Sequence, residues 1–228
     1  MGEQAFAGDK KAPMRSPLAK IEKAFISRTV GKFPTWIEGY HLTLMTIPWS
    51  AGLILFGWLA QRNLHWLWGA SAMLLLQWFT DSFDGALGRL RDTGIPKWGF
   101  HMDHFLDFVF MWCVPVGYVF IVDERSACWL FVFAFIYSAM MANSFLGFSA
   151  TNEFKITYLG MGPTEVRLLF IILNAVVVFR GPRVSEAALP YATVAFGLAL
   201  CIMVFRTQRY IWGIDMANKA EESNRKDA

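Results

Sequence analysis

Between residues 81 and 107 the chain reads DSFDGALGRLRDTGIPKWGFHMDHFLD, and four of its aspartates fall at helical intervals. At about 100° per residue, Asp81, Asp84, Gly85 and Gly88 share one face, and Asp103 and Asp107 stand one turn apart on the following segment. Gly94 and Pro96 interrupt any helix between them, so the two stretches can fold back and bring the carboxylates to one point. Carboxylates grouped in this way repel or protonate unless neutralised, and hard oxygen ligands select Mg2+, Mn2+ or Ca2+ over soft metals. A pair of divalent ions is the natural neutraliser. Gly85 and Gly88 remove side chains from the same face, which lets a phosphate-bearing ligand approach the backbone, and Arg89 offers a forked donor to phosphate. Pairing with Arg89, Arg91 and Lys97, or helix packing at the glycines, explains any one of these residues but not the ordered set.

The elements that must position these groups belong to a membrane protein. The 228 residues are 55% hydrophobic and only 17% charged, too apolar for most soluble folds. Six continuous apolar segments, at about 41–60, 64–80, 104–122, 127–148, 164–180 and 187–205, are each long enough to cross a ~30 Å hydrocarbon core as a helix. None alternates in the manner of a barrel strand. The predicted architecture is an all-α integral membrane protein of six transmembrane helices. Residues 1–16 are expected to form a flexible leader, 17–35 an amphipathic interfacial helix, 36–212 the six-helix catalytic domain and 213–228 a polar, frayed tail. Leu18, Ile21, Phe25 and Ile26 make the apolar face of the interfacial helix.

Basic residues set the orientation. Lys10, Lys11, Arg15, Lys20, Lys23, Arg28 and Lys32 precede the first span, Arg89, Arg91 and Lys97 follow the second, and Arg206, Arg209, Lys219, Arg225 and Lys226 follow the last. The positive-inside rule therefore puts both termini and the acidic cluster on the cytoplasmic side. A charge of +3 gathered at the chain ends attracts anionic lipid headgroups rather than nucleic acid. Cys113, Cys128 and Cys201 lie in apolar runs without ligand spacing, so neither a disulfide framework nor a zinc site is suggested. No cleavable leader is expected, because residues 1–35 lack a short apolar run.

Asp-x-x-Asp-Gly-x-x-x-Arg followed by Gly-x-x-x-Asp-x-x-x-Asp, here Asp81, Asp84, Gly85, Arg89, Gly99, Asp103 and Asp107, resembles the signature of the CDP-alcohol phosphotransferases. Two features depart from it: Gly88 stands where alanine is usual, and the gap from Arg89 to Gly99 is one residue longer. The resemblance implies that Asp81, Asp84 and Asp103 bind two ions, Mg2+ or Mn2+, with Asp107 contributing as a ligand or acting as the base. It also implies that Gly85, Gly88 and Arg89 line the CDP site. Thr43 matches the family's first span, although Tyr40 replaces the asparagine usual three residues earlier. The expected reaction moves a phosphoalcohol from a CDP-alcohol to an acceptor hydroxyl, one of the two substrates being a lipid, and releases CMP. A homodimer is expected on the same grounds.

Other residues remain open in role. His104 either tunes a metal ligand or the base, or is an interfacial neighbour; His101 flanks the motif. Thr164 is predicted to cap a helix, while Glu165, Arg167 and Lys155 either pair locally or contact a phosphate or headgroup. Asn143 and Asn174 are expected to bond between helices. A membrane prenyltransferase also uses Mg2+ and aspartates, but wants a further aspartate where Gly88 stands. A divalent-cation transporter would put its carboxylates at mid-membrane across several spans.

Overall fold

The computed structural model describes residues 19–152 and 163–226. The leader 1–16, Leu18 and Lys155 lie outside the described residues. The described chain is helical: α1 (Ala19–Thr29), α2 (Gly39–Leu44), α3 (Thr46–Ala60), α4 (Leu67–Arg91), α5 (Pro96–Val119), α6 (Glu124–Thr151), α7 (Pro163–Arg180) and α8 (Arg183–Lys226). Short 3-10 turns at Val30–Lys32 and Leu64–Trp66 join the first elements. Each apolar segment of the sequence coincides with a long helix. Among the described residues three helices are long and apolar enough to cross a membrane by length and composition: Gly39–Ala60, in which α2 runs into α3, Glu124–Thr151 and Arg183–Lys226.

The core gathers Leu53, Leu67, Leu74, Phe110, Val114 and Val177 from α3, α4, α5 and α7. Helices pack closely where small residues face each other. A Cβ placed on Gly57 would lie 2.5 Å from Gly117 Cα, so only glycine lets α3 meet α5 at that height. Deep in the bundle Tyr118 donates to Asn174 Oδ1 at 2.5 Å, and Asn174 Nδ2 donates to Ser71 Oγ at 2.9 Å, which links α5, α7 and α4. Asn143 Nδ2 donates to Thr207 Oγ1 at 3.1 Å between α6 and α8. Both asparagines therefore bond between helices, as expected. The outer helices leave large apolar side chains such as Phe135 and Leu198 exposed, the surface of a protein whose solvent on that side is lipid.

Two local differences from the sequence reading have simple causes. Thr164 does not cap α7, because the helix already begins at Pro163, whose fixed φ suits the first helical position. Thr164 instead donates to Glu22 Oε2 at 3.1 Å. The C-terminal stretch stays helical through Lys226 although it is exposed. Extension of an established helix needs no new nucleus, and Ala, Glu, Lys and Arg favour it.

Candidate active site

α4 presents two faces at its C-terminal end. Phe83 and Leu87 are fully buried against Leu42, Ile26, Val30, Phe33 and Ile37, so the N-terminal segment clamps one side. Arg91 strengthens the clamp, donating to the carbonyls of Phe33, Pro34, Thr35 and Ile37. The opposite face carries Asp81, Asp84, Gly85 and Gly88, as the helical spacing requires. α4 stops at Asp92, whose φ of 53° is the left-handed conformation an aspartate tolerates, and α5 restarts with Pro96 in its first position. The hairpin expected from Gly94 and Pro96 is therefore present.

Carboxylate oxygens of Asp81, Asp103 and Asp107 lie within 4.8 Å of one another, and all three residues are half-buried. Arg167, 5% exposed, enters from α7. Its Nη2 donates to Asp81 Oδ2 at 2.8 Å and reaches Asp107 Oδ1 at 3.4 Å. Arg167 thus pairs with two of the three carboxylates, and carboxylates held this closely favour a bound cation. The donor set consists of hard oxygens suited to Mg2+ or Mn2+, so the residues fit such ions. Asp84 stands apart from this triad. Its Oδ2 accepts from Thr43 Oγ1 at 2.7 Å and its Oδ1 from the Gly85 N–H at 2.5 Å.

A cleft of about 270 Å3 opens beside the triad, lined among others by Tyr40, Thr43, Asp84, Gly85, Gly88, Arg89, Gly99, Asp103 and His104. The glycines shape it. A Cβ on Gly85 would stand 3.3 Å from Arg89 Nη1, one on Gly88 3.4 Å from Gly94 Cα, and one on Gly99 would enter open space. Asp103 and His104 contact each other, with Nδ1 3.4 Å from Oδ2, and the His104 ring stacks on Phe100. His101 is exposed and stacks on Phe105. Glu165 is half-buried in the first turn of α7.

Three contributors escaped the sequence reading. Gly39 abuts α4 so closely that a Cβ there would lie 2.5 Å from the Asp84 carbonyl oxygen. Glu22 of α1 accepts from Ser82 Oγ at 2.9 Å as well as from Thr164, which cross-links α4 and α7 next to Asp81. Gln77 donates from Nε2 to Asp107 Oδ1 at 2.8 Å. Of the three, only Gln77 carried a signal: an amide in the apolar run AMLLLQWFT, one turn before Asp81.

No solved structure matches the chain. The Escherichia coli (strain K12) inner membrane protein YnjF is 34% identical over 110 residues, covering 47% of this chain and 49% of YnjF. The matched stretch thus spans about half of each protein. A family model for CDP-alcohol phosphatidyltransferases matches residues 36–213, which include α2 to α7, the cleft and all four motif aspartates. The chain is a membrane protein and belongs to the CDP-alcohol phosphatidyltransferase family.

Proposed function

We propose that this protein transfers a phosphoalcohol group from a CDP-alcohol to an acceptor hydroxyl in phospholipid synthesis, releasing CMP. The observation that carries the reading is the convergence of Asp81, Asp103 and Asp107 beside a glycine-floored cleft that also holds Asp84 and Arg89. These four aspartates would hold two ions, Mg2+ or Mn2+. When bound, the ions stabilise the charge that builds on the transferring phosphoryl and on the departing CMP.

The protein's own groups do the rest. Gly85 and Gly88 let the pyrophosphate approach the α4 backbone, and Arg89 places its fork on phosphate oxygens. Thr43 holds the Asp84 carboxylate in place through its hydroxyl. Asp107 takes the proton from the acceptor hydroxyl. That oxygen bonds to the β-phosphorus as the bond from this phosphorus to the bridging oxygen breaks, and CMP departs. Asp103, with His104 beside it, completes the acidic wall.

In this reading the six long helices are six membrane spans, α1 lies along the interface, and residues 36–212 form the catalytic domain. Residues 1–16 and 213–228 flank it as a flexible leader and a polar tail, with both termini and the cleft cytoplasmic. The working unit is a homodimer, and one substrate is a lipid drawn from the bilayer.

Two reactions decide the donor. Purified protein receives CDP-diacylglycerol with mixed polar alcohols in one, and CDP-choline or CDP-ethanolamine with diacylglycerol in the other, and CMP is measured. Release in one mixture assigns donor and acceptor. Silence in both, from folded protein that binds no CDP, would contradict the proposal.

A further inference from the structure

Gln77 stands one helical turn before Asp81 on α4 and is 0% exposed. Its Nε2 donates to Asp107 Oδ1, 2.8 Å away on α5. Its Oε1 is buried with no hydrogen-bond partner. An orphaned amide carbonyl in a helix bundle destabilises the fold, and leucine or methionine of similar volume would avoid that cost. What glutamine supplies and they do not is a donor aimed at Asp107.

Arg167 Nη2 reaches the same oxygen at 3.4 Å, so Oδ1 of Asp107 is engaged from both α4 and α7. The other oxygen, Oδ2, is then the one to offer a cation or an incoming proton. A neutral donor suits this task. It fixes the carboxylate rotamer without adding positive charge that would compete with a cation, whereas a lysine or a second arginine would do both.

We propose that Gln77 is the positioning residue that orients the Asp107 carboxylate toward the cation site. The inference rests on the functional reading above, in which Asp107 serves the transfer. Residues that hold a ligand by its far side set its direction, and their loss typically costs roughly 10- to 100-fold in metal affinity or activity.

The test uses the full chain in detergent, wild type beside Gln77→Leu and Gln77→Met, with Mn2+ alone as the probe and free Mn2+ counted by electron paramagnetic resonance. The expected result is a fall in Mn2+ affinity of roughly 10-fold or more in both variants. Their melting temperatures should be equal to wild type or higher. In the CMP-release assay kcat should drop while KM for the CDP donor holds within about twofold, the split expected when orientation rather than donor binding is lost. Mn2+ affinity within about twofold of wild type in whichever variant folds would overturn the inference, whatever the activity. Wild-type protein that binds Mn2+ but neither binds CDP nor releases CMP would defeat the functional reading alone, leaving the Mn2+ comparison to decide Gln77. Wild-type protein that binds no Mn2+ would overturn both.

Discussion

Two polar clusters form where α4, α5 and α7 meet, one buried and one half-buried, and they are built on opposite principles. Where α4 begins and α5 ends, Tyr118, Asn174 and Ser71 are neutral and satisfy one another in a short chain of hydrogen bonds. Farther along α4, Asp81, Asp103 and Asp107 crowd their carboxylates within 4.8 Å, and Arg167 pairs with Asp81 and Asp107. A neutral, mutually satisfied network joins helices where no water is present to compete. Crowded carboxylates repel one another unless neutralised, which suits them to a bound cation.

The contrast is broken most directly by exchanging charge for none. Asp107→Asn keeps an oxygen to which Gln77 and Arg167 can donate, so the fold should survive with a melting temperature equal to wild type or higher, while CMP release falls roughly 10²- to 10⁴-fold. Thermal unfolding and turnover measured on one preparation check both halves. A variant that loses stability along with activity would show that the charged cluster is also structural.

Asn174→Leu should behave in the opposite way. It leaves the buried Tyr118 hydroxyl without an acceptor and is expected to cost about 1–3 kcal/mol, with kcat per folded molecule close to wild type. Between these extremes lies Gly39→Ala. Its Cβ would sit 2.5 Å from the Asp84 carbonyl oxygen, and the α4 backbone must shift to admit it. A loss of roughly 10- to 100-fold in kcat/KM is expected from such a displacement, borne mainly by donor binding.

The smallest effect concerns Asp123, the exposed N-cap of α6. It caps α6 by accepting from the Ser126 N–H at 2.7 Å, and bonds from Ser126 hold its carboxyl below the ordinary aspartate range. A depressed folded pKa adds stability that is fully present above the ordinary value of about 3.9 and is lost as pH falls through the folded value. The melting-temperature gap between wild type and Asp123→Ala should therefore shrink below about pH 4. A gap that stays constant down to pH 3 would remove this linkage.

The sequence showed some of this site and hid the rest, and range along the chain divides the two. Asp81 with Asp84, and Asp103 with Asp107, follow from helical spacing, while Gly94 and Pro96 give away the hairpin that joins them. The apolar segments locate the helices. Asn143 and Asn174 betrayed themselves as amides within apolar runs, and Gln77 carried the same mark without being read. Arg167 was visible as a candidate, but its pairing with Asp81 is 86 residues distant and exists only once α7 has docked on α4. Glu22 lies 60 residues from Ser82 and 142 from Thr164, and no local pattern encodes either contact. Asp84 lies outside the group of three, and its bond from Thr43 of α2, 41 residues away, is likewise tertiary.

Whether the converged carboxylates hold the divalent ions the transfer requires is decided by titrating Mg2+ and Mn2+ into chelator-stripped wild-type protein and following CMP release from the CDP donor, with Asp81→Asn in parallel. The expected result is no release without metal, saturable recovery on adding it, and a much higher metal requirement or no recovery in Asp81→Asn. Release that persists in excess chelator, or an identical metal response in the two proteins, would contradict it.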